Sequence, residues 1–418
     1  MYKEILIYSD WKNKEQQLIG VLTVSVLRGK EIFTFEYDSH WLKHTDILAL
    51  DPALQLFAGR HFVPQGLSNF GLFLDSSPDR WGRFLMNRRE AQRAREEKRL
   101  ERRLLESDYL LGVHDEYRMG AIRLKLDRNG SFLDDDTAMA APPMTSLREL
   151  EYAAMAIENH NAETNQDYKK WLKMLLAPGG SLGGARPKAS VIDESKQLWI
   201  AKFPSKSDNI DVGAWEMLAY QLGKRAGITM ADAMLKRFNH SSYTFLSKRF
   251  DRDPHGNRIH FASAMTLLQR QDGDNAASGV SYLDLAEFLM REGAEPDRDL
   301  DQLWQRILFF VCISNVDDHL RNHGFLLQAN GWVLSPAYDI HPVAYADGLK
   351  LNISTSDNTQ SLELVKSVAP YFRVSKNRAN TLILEMLKII KEWQKIATKL
   401  GISKSEQTHM ASAFKLVN

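Results

Sequence analysis

The stretch that decides the fold is Asn315–Asn322, which reads NVDDHLRN. It follows a segment in which apolar residues recur at three- and four-residue spacing from Leu300 to Cys312. That spacing predicts a helix with one face in the core. Two carboxylates, two amides, a histidine and a guanidinium then follow the predicted helix within eight residues.

Asp317 and Asn322 reproduce the Asp-x-x-x-x-Asn spacing of the catalytic loop of protein kinases. In that loop the Asp orients the substrate hydroxyl and accepts its proton, and the Asn holds Mg²⁺. The His-Arg pair that usually precedes the Asp is missing here, so the loop differs from that of ordinary eukaryotic kinases. Asp318 is open to two interpretations, a third metal ligand or a carboxylate that serves the loop itself.

Asp339 stands in the sequence where kinases carry the Asp of Asp-Phe-Gly. Two strand-like runs, 323–328 and 332–335, flank Ala-Asn-Gly, which is a signal for a hairpin turn. Such a hairpin would return the chain so that Asp339 lies beside Asn322. Both side chains would then ligate a metal ion between the phosphates of a nucleotide.

Upstream, residues 179–188 read GGSLGGARPK and include Gly183 and Gly184. Four glycines within six positions let the backbone approach an anion closely and point N–H groups at it, although the Walker A spacing is absent. Lys202 lies in the strand-like run LWIAKF at 198–203, which resembles the Val-Ala-Ile-Lys strand of kinases. Glu216 follows at the margin of a predicted helix stripe, where it could pair with Lys202.

Together these stretches resemble the HipA family of bacterial serine/threonine kinases, the toxin halves of type II toxin–antitoxin pairs. The resemblance extends over nearly the whole chain. In the N-terminal part it is carried by the eight residues Asp75–Gly82. In the remainder, the motifs that show it are SLGGARPK at 181–188, KRFDR at 248–252, DDHLRN at 317–322 and YDI at 338–340.

The resemblance implies a role for each matching residue. Asp317 would be the catalytic base, and Asn322 and Asp339 would bind Mg²⁺. The remaining residues would form the ATP site. Lys202 would contact the phosphates with Glu216 as its partner, and Gly183 and Gly184 would lie in the loop above the phosphates. Lys248 and Phe250 would lie on the hinge, which offers backbone groups to adenine.

Ser181 would match the serine that such kinases autophosphorylate in their glycine-rich loop. A phosphate there adds nearly two negative charges, which would repel the phosphates of ATP and move the loop away. The resemblance also implies a cytosolic protein substrate, of which aminoacyl-tRNA synthetases are family examples. It further implies a small helix-turn-helix antitoxin, through which DNA would mainly be contacted.

The implied fold class is α+β, with a protein-kinase-like, two-lobed, HipA-like core. Strand composition dominates the beginning of the chain and helical composition dominates beyond residue 280. Residues 127–146 combine turn signals with three successive aspartates, which favours a linker. We therefore predict a β-rich N-terminal subdomain at 1–130, a kinase-like lobe with the glycine-rich loop at 131–255, and a helix-rich C-terminal lobe at 256–418.

The composition excludes several protein classes. With 418 residues, 44% hydrophobic and 26% charged, the chain is long and apolar enough for two or three cores. A net charge of +1 argues against a protein that binds nucleic acid by itself. The single cysteine, Cys312, rules out an internal disulfide framework and is expected in the core. No secretory signal or membrane-spanning run is visible, so we expect a cytoplasmic protein.

Three other functions remain open from the sequence. A metal-dependent phosphohydrolase could bind Zn²⁺ or Mn²⁺ through carboxylates and imidazoles, but leaves the glycine-rich loop without a role. Its candidate ligands are Asp317, Asp318, His319, His323, Asp339 and His341. A co-repressor without catalysis would bind DNA through its antitoxin, yet the complete set of kinase-like residues argues against lost activity. A small-molecule kinase would use the same ATP residues.

Overall fold

The computed structural model describes residues 2–11, 16–44, 47–136, 141–159, 161–176, 184–238 and 242–417. The chain forms two compact units. The first unit comprises Met1–Lys206 and Lys248–Ala262, and the second comprises Ser207–Ser247 and Ser263–Asn418. The predicted three-part division at residues 130 and 255 stays a prediction.

The first unit opens with an antiparallel sheet whose strand order is β4-β3-β2-β1-β5. Its strands are β1 Tyr2–Ser9, β2 Gln17–Leu27, β3 Lys30–Tyr37, β4 Arg60–Phe62 and β5 Ile122–Lys125. Alternating apolar residues such as Phe33 and Phe35 are buried on one face, as period-two patterning requires. Arg28 and Gly29 both have positive φ, 51° and 77°, which is the geometry of a tight hairpin turn between β2 and β3.

Helices and one hairpin complete the first unit. They are α1 Gly71–Asp75, α2 Arg80–Glu96, α3 Glu106–Leu111, α4 Leu147–Ile157, α5 Tyr168–Leu176, β6 Lys188–Ile192 and β7 Leu198–Lys202. Helical composition extends from about residue 78 to 106, but α2 ends at Glu96 and Lys98 turns left-handed at φ 50°. Within the predicted linker, the Phe132 ring packs against the guanidinium of Arg123 on β5.

The second unit is mainly helical. Its helices are α6 Val212–Arg225, α7 Ala264–Leu267, α8 Tyr282–Glu292, α9 Pro296–Ile313, α10 Leu362–Val368, α11 Lys376–Ile390, α12 Trp393–Lys399 and α13 Lys404–Met410. The remaining strands of the chain are β8 Ala233–Lys236, β9 Thr244–Lys248, β10 Phe261–Ser263, β11 Gly324–Gln328 and β12 Gly331–Leu334. This mixture confirms the predicted α+β class.

Helix α9 is the core helix that the apolar spacing predicted. Pro296 occupies its first turn, where the missing N–H costs nothing. Every residue from Leu303 to Ile313 is buried. Burial raises the pKa of the Cys312 thiol to about 12, as expected for an inert core cysteine. Within the described part of the chain, no helix has the length and apolar character needed to cross a membrane.

Candidate active site

The predicted catalytic loop begins where α9 ends. Ser314 has a left-handed backbone, with φ 51°, and this turns the chain out of the helix. Its hydroxyl oxygen lies 2.9 Å from both Gln360 Oε1 and the Ala413 carbonyl oxygen. The Asn315 N–H donates to the Phe310 carbonyl at 3.0 Å. The start of the loop is therefore fixed to the core of the second unit.

Asp317 and Asn322 differ in their exposure to solvent. Asp317 is exposed, whereas Asn322 is 6% exposed. The Asn322 Nδ2 donates to the Asp317 carbonyl oxygen at 3.3 Å, which fixes the side-chain amide. Among the described residues, the buried Asn322 Oδ1 has no hydrogen-bond partner. Because an unsatisfied buried acceptor costs about 1–3 kcal/mol, this atom suits a hard cation such as Mg²⁺.

The segment that carries Asp339 runs along this loop. The Tyr338 hydroxyl donates to the Arg321 carbonyl at 2.6 Å, and the His341 N–H donates to Asn315 Oδ1 at 3.1 Å. Asp339 lies between these two anchors with a left-handed backbone, φ 56°. That conformation costs a non-glycine residue about 1–3 kcal/mol and is concentrated at functional sites. The anchors place Asp339 alongside the loop of Asp317.

The hairpin that precedes Asp339 forms as the Ala-Asn-Gly signal predicted. Strands β11 and β12 pair from Phe325↔Leu334 to Gln328↔Gly331. The Ser335 N–H then donates to the Gly324 carbonyl at 2.9 Å, which continues the pairing toward the loop. The metal-binding role of Asp339 stays a prediction.

Asp318 has a different environment from Asp317. It is 1% exposed and its Oδ2 accepts the Tyr282 hydroxyl at 2.7 Å. The same oxygen lies 2.6 Å from His323 Nε2. Two neighbouring side chains thus use this carboxylate inside the fold. The arrangement favours the interpretation of Asp318 as a carboxylate that serves the loop over that of a third metal ligand.

The metal set of the hydrolase alternative is not assembled. All six of its candidate ligands are among the described residues. Throughout the described ranges, no three His, Cys, Asp or Glu side chains are placed to hold a metal ion together. A zinc site needs at least three protein ligands, whereas Mg²⁺ is bound through one or two protein groups plus phosphates and water. The side chains of Asn322 and Asp339 offer oxygen donors, which are the kind of ligand that Mg²⁺ prefers.

In the first unit, the base of the glycine-rich loop is held by a buried ion pair. Lys188, which lies opposite Lys202 in the β6–β7 register, is 5% exposed and places its Nζ 2.8 Å from Asp79 Oδ2. The Trp81 indole N–H donates to the Lys188 carbonyl at 3.0 Å. Gly184 has φ +99°, and a Cβ there would lie 3.0 Å from the Lys188 ammonium. The sequence analysis missed this pair, whose only local signal was the helix cap at Asp79.

Two predicted residues of this loop, Ser181 and Gly183, lie outside the described residues. Lys202 ends strand β7 and is partly buried in the first unit. Glu216 is 6% exposed on α6 of the second unit. The predicted pairing of Lys202 with Glu216 stays a prediction.

The segment 248–252, which contains the predicted hinge residues Lys248 and Phe250, is fixed by buried charged side chains in the first unit. Arg249 donates to the Tyr117 carbonyl at 2.6 Å and, through Nε, to Asp251 Oδ1 at 2.8 Å. The Gly120 N–H donates to Asp251 Oδ2 at 2.9 Å. Two of these bonds join the segment to residues more than 100 positions earlier in the chain, and the third lies within the segment. The backbone near Lys248 and Phe250 is therefore held rigidly.

Asp251 is ionised within this network. Burial works to raise the pKa of its carboxyl, but the guanidinium groups of Arg249 and Arg252 outweigh burial and hold the pKa well below its usual range. Arg249 Nη2 lies 2.5 Å and Arg252 Nη1 2.7 Å from Asp251 Oδ2. Each of these three charges thus has a counter-charge in contact.

Comparison with known proteins identifies the family. Residues 180–408 match the model of the HipA-like C-terminal domain, which is more than half of the chain, and the chain belongs to this family. It is 26% identical over 184 residues to a Haemophilus influenzae protein with a provisional kinase name, covering 40% of this chain and 53% of that protein. A second provisional kinase, from Sinorhizobium fredii, is 28% identical over 155 residues, or 35% of each chain. The chain spans about half or less of the length of these curated relatives.

A solved structure shows the same fold over nearly the whole chain. The HipA of Shewanella oneidensis MR-1, determined in a complex with HipB and its operator DNA, superposes with a TM-score of 0.68. The match covers 99% of this chain and 95% of that one at 16% sequence identity. The predicted HipA-like fold and family are thereby confirmed.

Proposed function

We propose that this chain is an ATP- and Mg²⁺-dependent serine/threonine protein kinase of the HipA toxin type. The observation that supports this most strongly is the buried Oδ1 of Asn322, which has no hydrogen-bond partner among the described residues and is held by its amide next to the exposed Asp317. The kinase names of the two curated relatives and the HipA-like fold agree with it.

The exposed Asp317 acts on the hydroxyl of the substrate. Its carboxylate orients that hydroxyl toward the γ-phosphoryl group and accepts its proton as the oxygen attacks. Asn322 Oδ1 and the Asp339 carboxylate would hold Mg²⁺. When bound, Mg²⁺ neutralises charge on the phosphate oxygens. The buried position of Asn322 fixes one ligand before the nucleotide arrives.

Residues of the first unit would bind the nucleotide. Lys202 contacts the phosphates, Gly183 and Gly184 cover them, and the backbone near Lys248 and Phe250 meets adenine. The ion pair between Lys188 and Asp79 supports this proposal because it fixes the base of the loop. The buried network around Asp251 supports it because it fixes the hinge segment.

We extend to this chain the partners implied by the family. The Shewanella HipA was solved with HipB and operator DNA, and we propose a small helix-turn-helix antitoxin here, with DNA contacted mainly through it. The substrate would be a cytoplasmic protein, with aminoacyl-tRNA synthetases as candidates. Ser181 would be autophosphorylated, and its phosphate would switch the kinase off by repelling ATP from the site.

The test is to incubate the chain with γ-labelled ATP, Mg²⁺ and a bacterial lysate, and to identify labelled proteins by mass spectrometry. We expect protein-bound label on serine or threonine. Asp317→Ala should remove the label while Mg·ATP still raises the melting temperature of the variant, since binding to the folded state is retained. Release of inorganic phosphate from phosphorylated compounds, with no labelled protein, would instead support the hydrolase.

A further inference from the structure

We infer that Asp318, His323 and Tyr282 form a buried clamp that positions the catalytic loop, and we call these three residues the loop clamp. The inference rests on the proposed kinase function. It assigns no direct contact with substrate to the clamp. Its members act through their neighbours in the chain, as positioning residues.

The clamp joins the two ends of the loop. Asp318 directly follows Asp317, the proposed catalytic base, and His323 directly follows Asn322, the proposed metal ligand. The 2.6 Å contact between Asp318 Oδ2 and His323 Nε2 therefore bridges the positions next to both functional residues. The Asn322 amide adds a parallel bond to the Asp317 carbonyl at 3.3 Å. Two cross-links over so short a segment leave the loop little freedom.

His323 is itself held from two sides. Its carbonyl accepts the Ala264 N–H at 2.8 Å, and its ring packs edge-on against Tyr282 and Phe310, with centroids 5.7 Å and 6.2 Å away. In the described chain its buried Nδ1 has no hydrogen-bond partner. Because a carboxylate only accepts hydrogen bonds, Nε2 is the donor in the contact with Asp318.

Tyr282 anchors the clamp to helix α8. It is the first residue of that helix, is fully buried, and its N–H donates to the Asn352 carbonyl at 2.9 Å. Its hydroxyl donates to Asp318 Oδ2 at 2.7 Å. Burial, followed by the neighbouring Asp318 charge, raises the pKa of the phenol well above its usual value, so the hydroxyl keeps the proton that it donates.

A purely structural role does not account for this choice of residues. Apolar side chains of similar volume would stabilise a core as well as a buried polar network, or better. A polar network, in contrast, fixes direction, because each hydrogen bond has a preferred distance and angle. Phosphoryl transfer requires Asp317 and Asn322 to be positioned within a fraction of an ångström. Each of them directly precedes a clamp residue in the chain, so hydrogen bonds of fixed direction are useful here.

The test compares two substitutions at His323. His323→Leu removes the donor to Asp318, whereas His323→Gln keeps an amide donor at about the position of Nε2. The readout is the single-turnover rate of autophosphorylation at increasing Mg·ATP. We expect His323→Leu to lower the maximal rate about 100-fold with little change in the half-saturating ATP concentration, and His323→Gln to recover most of the rate. Equal rates in the two variants would overturn the clamp.

His61 provides the matched control for lost stability. It is buried in the first unit at 4% exposure, and its Nε2 lies 2.7 Å from the Gln55 carbonyl oxygen. We expect His61→Leu to lower the melting temperature without changing the rate of autophosphorylation by the molecules that remain folded. If His61→Leu reduced the maximal rate as much as His323→Leu, general destabilisation would explain both and the positioning role would be wrong.

Amide hydrogen exchange separates failure of the clamp from failure of the proposed function. Absence of protein labelling by the parent chain would refute the kinase, but not the clamp. The clamp predicts that His323→Leu increases exchange in residues 316–323 and that His323→Gln and His61→Leu do not. Unchanged protection of this segment in His323→Leu would refute the clamp whatever the parent chain catalyses.

Discussion

Replacement of Asp79 should destabilise the first unit strongly, because two different interactions depend on one carboxylate. Its Oδ1 accepts the Gly82 N–H at 2.8 Å and caps helix α2. Its Oδ2 lies 2.8 Å from the Lys188 ammonium, and the Asp79 and Lys188 side chains are only 4% and 6% exposed. Solvent therefore screens this pair very little.

The magnitude follows from these two interactions. Removal of one partner of a buried ion pair costs about 3–5 kcal/mol, since the other charge stays buried without its counter-charge. Loss of a helix cap adds about 1 kcal/mol. We therefore expect Asp79→Ala to lower the free energy of unfolding of the first unit by about 4–6 kcal/mol.

Two further variants separate the contributions. Asp79→Asn retains an acceptor for the helix cap, so it should be about 1 kcal/mol less destabilising than Asp79→Ala. In the double variant Asp79→Asn with Lys188→Met, neither buried charge remains. This variant should recover most of the loss, because a buried pair replaced on both sides is often neutral.

The measurement is equilibrium urea unfolding followed by tryptophan fluorescence, to which Trp81 contributes from next to the pair. Midpoint and slope should be fitted together, so that a change in exposed surface is not mistaken for a change in stability. If Asp79→Ala lowered the free energy of unfolding by less than about 1 kcal/mol, the pair would be no stronger than a typical surface ion pair, and the reasoning would be refuted. Failure of the double variant to recover would show that the cost lies outside the pair.

Three other predictions concern metal, pH and regulation. Asp339→Asn should reduce phosphoryl transfer and raise the Mg²⁺ concentration needed for it, as measured by Mg²⁺ titration of the labelling rate; an unchanged Mg²⁺ requirement would contradict the assignment. The pKa of Asp251 is lower in the folded chain than in the unfolded chain, where it is about 4. The ionised carboxylate therefore stabilises the fold above about pH 4, and this stabilisation is lost as the pH falls below that value. Urea unfolding should thus show a stability difference between the parent and Asp251→Asn that shrinks below about pH 4, and a difference independent of pH would be inconsistent. Phosphosite mapping after incubation with Mg·ATP should find phosphate on Ser181 together with weaker ATP binding; phosphate only at other sites would remove the switch.

The sequence predicts well what depends on neighbouring residues. The helix from Leu300 to Cys312 and the hairpin before Asp339 follow from local periodicity and turn chemistry, and the structure has both of them. The spacing of Asp317 and Asn322 is likewise visible in the chain. Their difference in exposure was not visible, because burial depends on the whole core.

Interactions between residues far apart in the sequence could not be predicted from it. Asp79 and Lys188 are 109 positions apart, and Tyr282 and Asp318 are 36 apart, so no local pattern joins either pair. Helical composition continues beyond α2 to about residue 106, yet the helix ends at Glu96 although no glycine or proline follows it there. The chain after α2 folds back along the helix, where Arg99 Nη1 donates to Glu90 Oε1 at 2.6 Å and the Arg102 N–H donates to the same oxygen at 3.2 Å.

The location of the metal tests the central claim most directly. Crystals grown with Mn²⁺ and a non-hydrolysable ATP analogue would locate the metal by its anomalous scattering, independently of activity. The kinase account predicts Mn²⁺ bound by Asn322 Oδ1, the Asp339 carboxylate and phosphate oxygens, with Asp317 facing the γ-phosphate. Metal bound instead by His319 and His323, away from the nucleotide, would contradict the kinase assignment and favour the hydrolase.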